Sequence, residues 1–260
     1  MLEYKLPYYD GVFRGDNVNV TKEGSSISDF YGYQTDGIVQ TQEEVDAMKS
    51  AQPNVQPGDF KFKDLDGDGV ITDKDRTTLG SPIPKFTYGF NAELGYRNFD
   101  LTMFFQGSYG NKIYNGTKFV TQSSSMSENY NKSKVMLDRW TGPGTSNEIP
   151  RVTNKDVNNN GRVSDYFIES GSYLRLKVLQ LGYTLPEKHT KRLKMEKVRV
   201  FIGAQNLLTF TKYTGFDPEI GQNVNNVNGQ RYQSPTDFGV DRGGTYPQAR
   251  SWQFGINASF

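Results

Sequence analysis

The stretch Phe86-Thr87-Tyr88-Gly89-Phe90-Asn91-Ala92-Glu93-Leu94-Gly95-Tyr96, then Arg97-Asn98, then Phe99-Asp100-Leu101-Thr102-Met103-Phe104-Phe105-Gln106-Gly107-Ser108-Tyr109, decides how the rest of the chain is read. Apolar residues occupy every second position of both arms, and only Phe104 interrupts the intervening polar set. A period of two places the two sets on opposite faces of an extended strand. The joint Arg97-Asn98 predicts a two-residue hairpin turn, with Asn98 tolerating the positive φ such a turn demands. Each arm has about the 9–11 residues that a tilted strand needs to cross a bilayer, and its rings gather toward the arm ends, as at a membrane interface. A water-soluble antiparallel sandwich alternates in the same way, so the pattern by itself leaves both architectures open.

The totals narrow the field. At 260 residues, the chain has room for one large domain or two modest ones. Thirty Lys and Arg face 29 Asp and Glu, which gives no net field to draw nucleic acid or an anionic surface. Mean hydropathy of −0.69 beside 13% aromatic residues suits a barrel whose apolar side chains are spread one in two, and fits a polar, loop-rich sheet protein equally. No run of about 18 apolar residues is present, which excludes a helical span but not a strand-built one. With no cysteine, disulfides, thiolate chemistry and Cys-based zinc sites drop out together. His189 is the single histidine, so no Ser-His-Asp or Cys-His arrangement has support, and no Gly-rich phosphate loop appears. Met1-Leu2-Glu3-Tyr4 lacks the basic start and apolar core of a signal peptide, predicting either a cytoplasmic protein or a mature or partial product. The sequon Asn19-Val20-Thr21 is read as chance.

The sharpest local pattern is Asp64-Leu65-Asp66-Gly67-Asp68-Gly69-Val70-Ile71-Thr72-Asp73-Lys74-Asp75. Calcium takes six to eight oxygens, and the EF-hand loop offers them from positions 1, 3, 5, 7, 9 and 12, with a glycine turn at 6. Here those positions hold Asp64, Asp66, Asp68, the Val70 carbonyl, Thr72 and Asp75. Asp75 replaces the usual Glu, and its shorter reach predicts a weaker or partly hydrated site. A plain Asp/Gly turn is the alternative, though three carboxylates this close repel one another unless a cation sits among them. No strong helix pattern flanks the loop on both sides, so a structural ion in a long loop is expected rather than a calcium-switched helix pair. Upstream, Thr41-Gln42-Glu43-Glu44 predicts a capped helix of two or three turns ending by Pro53.

Several longer motifs then occur in a fixed order. Gly58-Asp59-Phe60-Lys61-Phe62-Lys63, the acidic loop, and Arg76-Thr77-Thr78-Leu79-Gly80-Ser81-Pro82-Ile83-Pro84-Lys85-Phe86 lead into the hairpin. Phe30-Tyr31-Gly32-Tyr33 and Asp36-Gly37-Ile38 precede them. Leu137-Asp138-Arg139-Trp140-Thr141, Tyr173-Leu174-Arg175-Leu176, Gln205-Asn206-Leu207 and Tyr213-Thr214-Gly215-Phe216-Asp217-Pro218-Glu219 follow. In these motifs, from about residue 27 on, the chain resembles the SusC/RagA family of TonB-linked outer-membrane proteins. The resemblance is to the end of that family's pattern. The N-terminal plug, the TonB-contacting segment and most of the barrel have no counterpart, which implies the C-terminal portion of a larger transporter.

Beyond the hairpin, the reading is all-β with long connections. Residues 110–171 show little strand character and hold the polar run Ser123–Ser127, a short helix near Ser133–Trp140 and Asn158-Asn159-Asn160-Gly161. Such length is foreign to a compact soluble domain and normal for the outer loops of a membrane barrel. Strands are predicted at 173–185 and 197–210, and the slip from Leu174, Leu176, Val178 to Leu179, Leu181, Tyr183 predicts a bulge near Val178. The basic turn Glu187–Lys194 lacks interleaved rings, so it reads as a solvated turn and not a nucleic-acid patch. In the 211–248 loop the rings Tyr213, Phe216, Tyr232 and Tyr246 could stack on sugars. The last strand, 249–260, alternates Trp252, Phe254, Ile256, Ala258 and Phe260 with polar or small residues up to the final position, and ending in Phe looks like the terminal signal of outer-membrane barrels.

The expectation is an all-β, antiparallel transmembrane barrel segment spanning 1–260, of about six strands with open edges. Its short turns would face the periplasm. The loops 34–84 (with the acidic loop), 110–171 and 211–248 would be extracellular around the 85–109 hairpin, and Asn91, Glu93, Thr102 and Gln106 would line the lumen. The resemblance implies TonB-driven import of oligosaccharides or peptides across the outer membrane of a Gram-negative bacterium, with a SusD-like surface lipoprotein as partner and no bond chemistry. The alternative is a soluble, calcium-stiffened β-domain that holds a glycan. A hydrolase built on Asp217 and Glu219 lacks anything that places them across a cleft.

Overall fold

A computed structural model describes residues 2–4, 18–123, 131–227, 230–243 and 246–260. Ser124–Ser127 of the polar run fall outside the described residues, as does the side chain of Tyr232. The chain forms two units. One comprises Pro84–Gly110, Gly171–Pro218 and Tyr246–Phe260; the other comprises Met1–Ile83, Asn111–Ser170 and Glu219–Thr245. No described helix is long and apolar enough to cross a membrane.

The first unit is a single antiparallel sheet. Its strands are β1 (Phe86–Tyr96), β2 (Phe99–Tyr109), β3 (Tyr173–Thr184), β4 (Lys197–Thr211) and β5 (Ser251–Ser259), in spatial order β5-β4-β3-β2-β1. Five strands form where about six were expected, and β1 and β5 are the edges. β1 and β2 pair without a break from Phe86 opposite Tyr109 to Tyr96 opposite Phe99, because equal arms with equal phase leave no residue over. The two-residue turn is made as predicted, but Arg97, not Asn98, takes the left-handed conformation, with φ of 53°. The bulge falls where the alternation slips. Leu176 and Val178 pair with the consecutive residues Phe105 and Phe104, leaving Lys177 as the extra residue. On the other side, the same step spans Leu208 to Gln205 of β4, where Asn206 sits at φ 52° and its amide reaches the Ala249 carbonyl at 3.1 Å. After Pro186, which cannot donate to a ladder, the chain makes a helical turn, Glu187–Thr190, and a 3-10 turn, Lys191–Leu193.

The second unit folds the long connections on themselves with short strands: 29–32 beside 19–21 and 77–80, 35–38 beside 60–62, and 112–115 beside 168–170. One buried cluster joins Val18, Phe30, Tyr114, Phe119, Val163, Phe167 and Val240; another joins Tyr33, Ile38, Phe60 and Phe62. The helix Gln42–Met48 is capped by Thr41, whose hydroxyl accepts from the Glu44 amide at 3.3 Å. The Glu44 carboxylate reaches one residue further back than the usual box, accepting from the Gln40 amide at 2.9 Å. Helix 116–122 is capped by Asn115, and Ser133 caps the 3-10 turn Lys134–Asp138. Asn19 is buried with its amide on the Ser28 carbonyl, so it presents no acceptor for a sugar.

Candidate functional site: a two-faced sheet and an acidic loop

The register of the five strands turns each strand's alternation into rows across the sheet. Ala92, Met103, Leu179, Ala204 and Trp252 lie side by side; so do Leu94, Leu101, Leu181, Ile202 and Phe254, and then Tyr96, Phe99, Tyr183, Val200 and Ile256. The bulge at Lys177 keeps Leu174 and Leu176 on this same face, opposite Phe210 and Leu208. These rows are not sealed by a second layer. Phe254 is 77% exposed, Ile256 71%, Phe90 62% and Trp252 59%. A continuous apolar face of this size is far beyond what a monomer leaves to water. Rings close it at both ends: Phe99 and Tyr183 lie 4.7 Å apart beside the Arg97 turn, and Phe86 stacks on Tyr109 at 5.2 Å at the other end. The ten steps from Phe86 to Tyr96 extend about 34 Å along the strand, or about 26 Å at a tilt of ~40°, close to the height of an outer-membrane apolar band.

The opposite face is polar by the same register. Glu93, Thr102, Gln180, Gly203 and Gln253 form one row, with Asn91 and Gln106 on the same side. Arg199 reaches across to Asp100 with one edge of its guanidinium, donating from Nε to Oδ1 at 2.9 Å and from Nη2 to Oδ2. This pair lies over Gly182, where a Cβ would collide with both groups, so glycine there is a condition of the ion pair. Phe201 covers Gly255 in the same manner. Nearer the far end, Arg175 is buried; its Nη2 meets Asp217 at 2.8 Å and its Nε meets Thr209 at 2.9 Å. Asp217 also accepts from the Gln248 amide at 3.0 Å. Asp217 is thus committed to an ion pair and not poised for acid–base work. Of the loop rings singled out from sequence, Tyr213 is buried, while Phe216 and Tyr246 are exposed.

The acidic loop is organised by its own carboxylates. Asp64 accepts from the Gly67 amide at 2.7 Å and the Gly69 amide at 2.8 Å, and both glycines have positive φ, 76° and 83°. Asp66 and Asp68 accept from the amides two residues on, at 3.2 and 2.9 Å. Carboxylate oxygens of Asp64, Asp66 and Asp68 lie within 4.8 Å of one another, all three residues exposed. The Lys74 ammonium stands 4.0 Å from Asp66 and 3.9 Å from Asp68. Asp75 is not one of those three, though its side chain meets that of Asp64. It is buried, accepting from Leu65 at 2.7 Å and Thr72 at 2.7 Å while Thr72 caps the 3-10 turn 73–75. Burial pushes its carboxyl up, but the Thr72, Leu65 and Asp66 amides outweigh that and hold it below the usual Asp range. Ile71, between the ligand positions, anchors the loop through its amide on the Ala51 carbonyl at 3.0 Å.

A second loop of the same spacing escaped the sequence reading. Asp156-Val157-Asn158-Asn159-Asn160-Gly161-Arg162-Val163-Ser164 places Asp, Asn and Asn at positions 1, 3 and 5, Gly at 6, an apolar residue at 8 and a hydroxyl at 9. Amides in place of two carboxylates hid it among the Asn-rich connections. Asp156 accepts from the Asn160 and Gly161 amides, both at 2.8 Å, and Asn159, like Gly67 at position 4, has positive φ. Asn158 and Asn160 point into protein: Asn160 accepts from the Phe60 amide at 3.0 Å and donates to Asp59 at 2.9 Å, and Asn158 accepts from Gln52 at 3.1 Å. Arg151 completes the network on Asp59 at 2.8 Å. Next to it, Tyr33 donates to Asp73 at 3.0 Å; burial, then that hydrogen bond, raise its pKa to about 12.

No family model matches the chain. Among curated proteins, TonB-dependent receptor P3 of Formosa agariphila is 37% identical over 250 residues, which cover 96% of this chain and 24% of the receptor. TonB-dependent receptor P26 of the same organism is 32% identical over 237 residues, covering 91% and 23%. SusC of Bacteroides thetaiotaomicron, also a TonB-dependent receptor, is 25% identical over 262 residues, covering 99% and 22%. Among solved structures, the RagAB peptide importer in its "closed-closed" state superposes with a TM-score of 0.65 at 25% identity, over 90% of this chain and 23% of that one. The chain therefore spans about a quarter of the length of these relatives. They are receptors and importers, and none is an enzyme.

Proposed function

The chain is a homologue, along nearly all of its length, of TonB-dependent receptors of the SusC/RagA type, and from that premise we propose that it forms an arc of the barrel wall of an outer-membrane importer in a Gram-negative bacterium. The observation that carries this reading is the unbroken apolar face across β1–β5 with a charged and amide-bearing face behind it. Lipid would meet the first face and the aqueous lumen the second. The open edges of β1 and β5 would pair with further strands of the same wall, since unpaired edges otherwise aggregate.

In this reading the turns at Arg97-Asn98 and Glu187–Lys194 face the periplasm, and 34–84, 110–171 and 211–248 form extracellular structure. The cargo is an oligosaccharide or a peptide, a SusD-like lipoprotein covers the outer mouth, and the TonB system supplies energy through parts of the receptor beyond this chain. RagAB, by its description a peptide importer, supports the cargo class in general. Calcium is proposed as a structural ion at Asp64, Asp66, Asp68, the Val70 carbonyl, Thr72 and Asp75. The clustering of three carboxylates within 4.8 Å supports it, and Lys74 serves as a partial counter-charge when the ion is absent.

The test is cysteine accessibility in native outer membranes. Phe254→Cys and Ile202→Cys should react with a bilayer-soluble maleimide and resist a charged one; Gln253→Cys and Thr102→Cys should do the reverse. Equal reaction of all four with the charged reagent would leave the soluble calcium-stiffened glycan-binding domain as the better reading.

A further inference from the structure

At one end of the sheet two neighbouring turns carry basic residues in costly backbone conformations. Arg97 has φ of 53° and Lys194 φ of 54°, a region in which glycine or asparagine sits without strain and other residues do not. Retaining a long cation at both positions points to a use for the side chain. Arg97 does not turn toward the polar face. Its guanidinium carbon lies 5.3 Å from the ring centre of Tyr96, which stands on the apolar face and is 69% exposed.

The second turn, residues 186–196, holds Lys188, Lys191, Arg192 and Lys194 against Glu187 and Glu196, with His189 beside them. Glu187 is taken by Lys191 at 2.8 Å, while Lys188, Arg192 and Lys194 have no ion-pair partner among the described residues. The two turns adjoin, since the Thr184 amide donates to the Asn98 carbonyl at 2.8 Å. Directly inward of them runs the ring row Tyr96, Phe99 and Tyr183.

We infer that this collar binds the phosphate of anionic phospholipids in the leaflet at the short-turn end of the barrel. An apolar face closed by rings and then by exposed cations matches the order of chemistry met on leaving a bilayer: acyl chain, interface, phosphate. The inference rests on the proposal that the apolar face meets lipid, and the following experiment separates the two. The receptor purified from outer membranes is reconstituted in phosphatidylcholine bilayers containing trace spin-labelled phosphatidylglycerol or phosphatidylcholine, and the motionally restricted lipid is measured by electron spin resonance.

The native protein should hold restricted lipid of both kinds and favour phosphatidylglycerol by roughly fivefold, the size expected of one well-placed cation. That preference should fall toward unity in Lys188→Gln/Arg192→Gln/Lys194→Gly and at about 1 M salt. Arg97→Gly should lower it in part without lowering thermal stability, because glycine relieves the left-handed strain. A native preference near unity, or one that survives the combined substitution, would overturn the collar while leaving the bilayer reading intact. Absence of any restricted lipid would overturn the bilayer reading beneath it.

Discussion

Two loops in this molecule share a spacing and solve it with different chemistry. In 64–75, positions 1, 3 and 5 are Asp, exposed, and gathered around a point that three negative charges define. In 156–164, the same positions are Asp156, Asn158 and Asn160, and both asparagines are buried. The first carboxylate does equal work in both, holding two amides of its own turn. The divergence begins at positions 3 and 5. A carboxylate is acceptor-only, so it can meet a cation but cannot also donate to the protein; an asparagine amide does both. The second loop accordingly binds Phe60, Asp59 and Gln52, where the first leaves its carboxylates exposed. Changing the residue type at two positions separates a loop with three clustered, exposed carboxylates from one held by a folded neighbour.

The sharpest break of that comparison is at Asn160. Asn160→Ala strands the buried Phe60 amide and one hydrogen of the buried Asn158 side-chain amide, while Asp59 Oδ1 keeps its bond from Arg151. Orphaning buried groups of this kind costs roughly 3 kcal/mol, and the loss should be the same with calcium or with chelator. Hydrogen exchange at the Phe60 amide reads it. A rescue by calcium would mean that the second loop binds an ion.

The mirror experiment is on the first loop. With calcium at a few millimolar and a dissociation constant of about 10⁻⁴ M, the proposed ion should stabilise the loop by about 2 kcal/mol. Asp66→Asn/Asp68→Asn should abolish that gain in protease protection, yet in chelator the double variant should resist cleavage at least as well as the native loop, because repulsion is relieved. Identical cleavage of the native loop with and without calcium would reduce the site to a hydrogen-bonded turn. Acid sharpens the contrast further. The Asp75 carboxyl is held below its ordinary value, so its contribution is full above about pH 3.9 and is lost as the pH falls through the depressed folded value. Protection of 64–75 in chelator should therefore be flat from neutral pH down to about 4 and fall only below it.

The two faces of the sheet were legible in the sequence, with strand ends within two residues, because the rule is local. A period of two fixes the face of every side chain, and Leu176, Val178 and Leu179 announce the bulge by breaking that period. Arg97 was misjudged for the opposite reason: turn chemistry ranks Asn98 as the easier host for a positive φ, and nothing in the string records that a cation is held there over Tyr96. The acidic loop stood out because carboxylates at that spacing are conspicuous in the string, and its three Asp residues do cluster. Its partner at 156–164 was missed because asparagine is common in connections, and the groups that give Asn158 and Asn160 their role, Asp59 and Phe60, lie about a hundred residues away. The folding of the long connections around Phe30, Tyr114 and Phe167 was hidden likewise, since its strands are too short to show a period.

The smallest effects concern position 9, where the loops hold Thr72 and Ser164. Both residues precede a 3-10 turn with extended backbone. The Thr72 hydroxyl accepts from the Lys74 amide at 3.3 Å, whereas the Ser164 hydroxyl is fully buried and makes no hydrogen bond among the described residues. Thr72→Ala should therefore cost about 1 kcal/mol, the ordinary value of a helix cap. Ser164→Ala should cost nothing measurable or stabilise slightly, because it removes a buried polar group that has no partner to lose. Protease protection of the two loops, compared in chelator so that no ion contributes, measures both. Equal losses would show that the Ser164 hydroxyl is satisfied after all, and that the two loops differ at positions 3 and 5 alone.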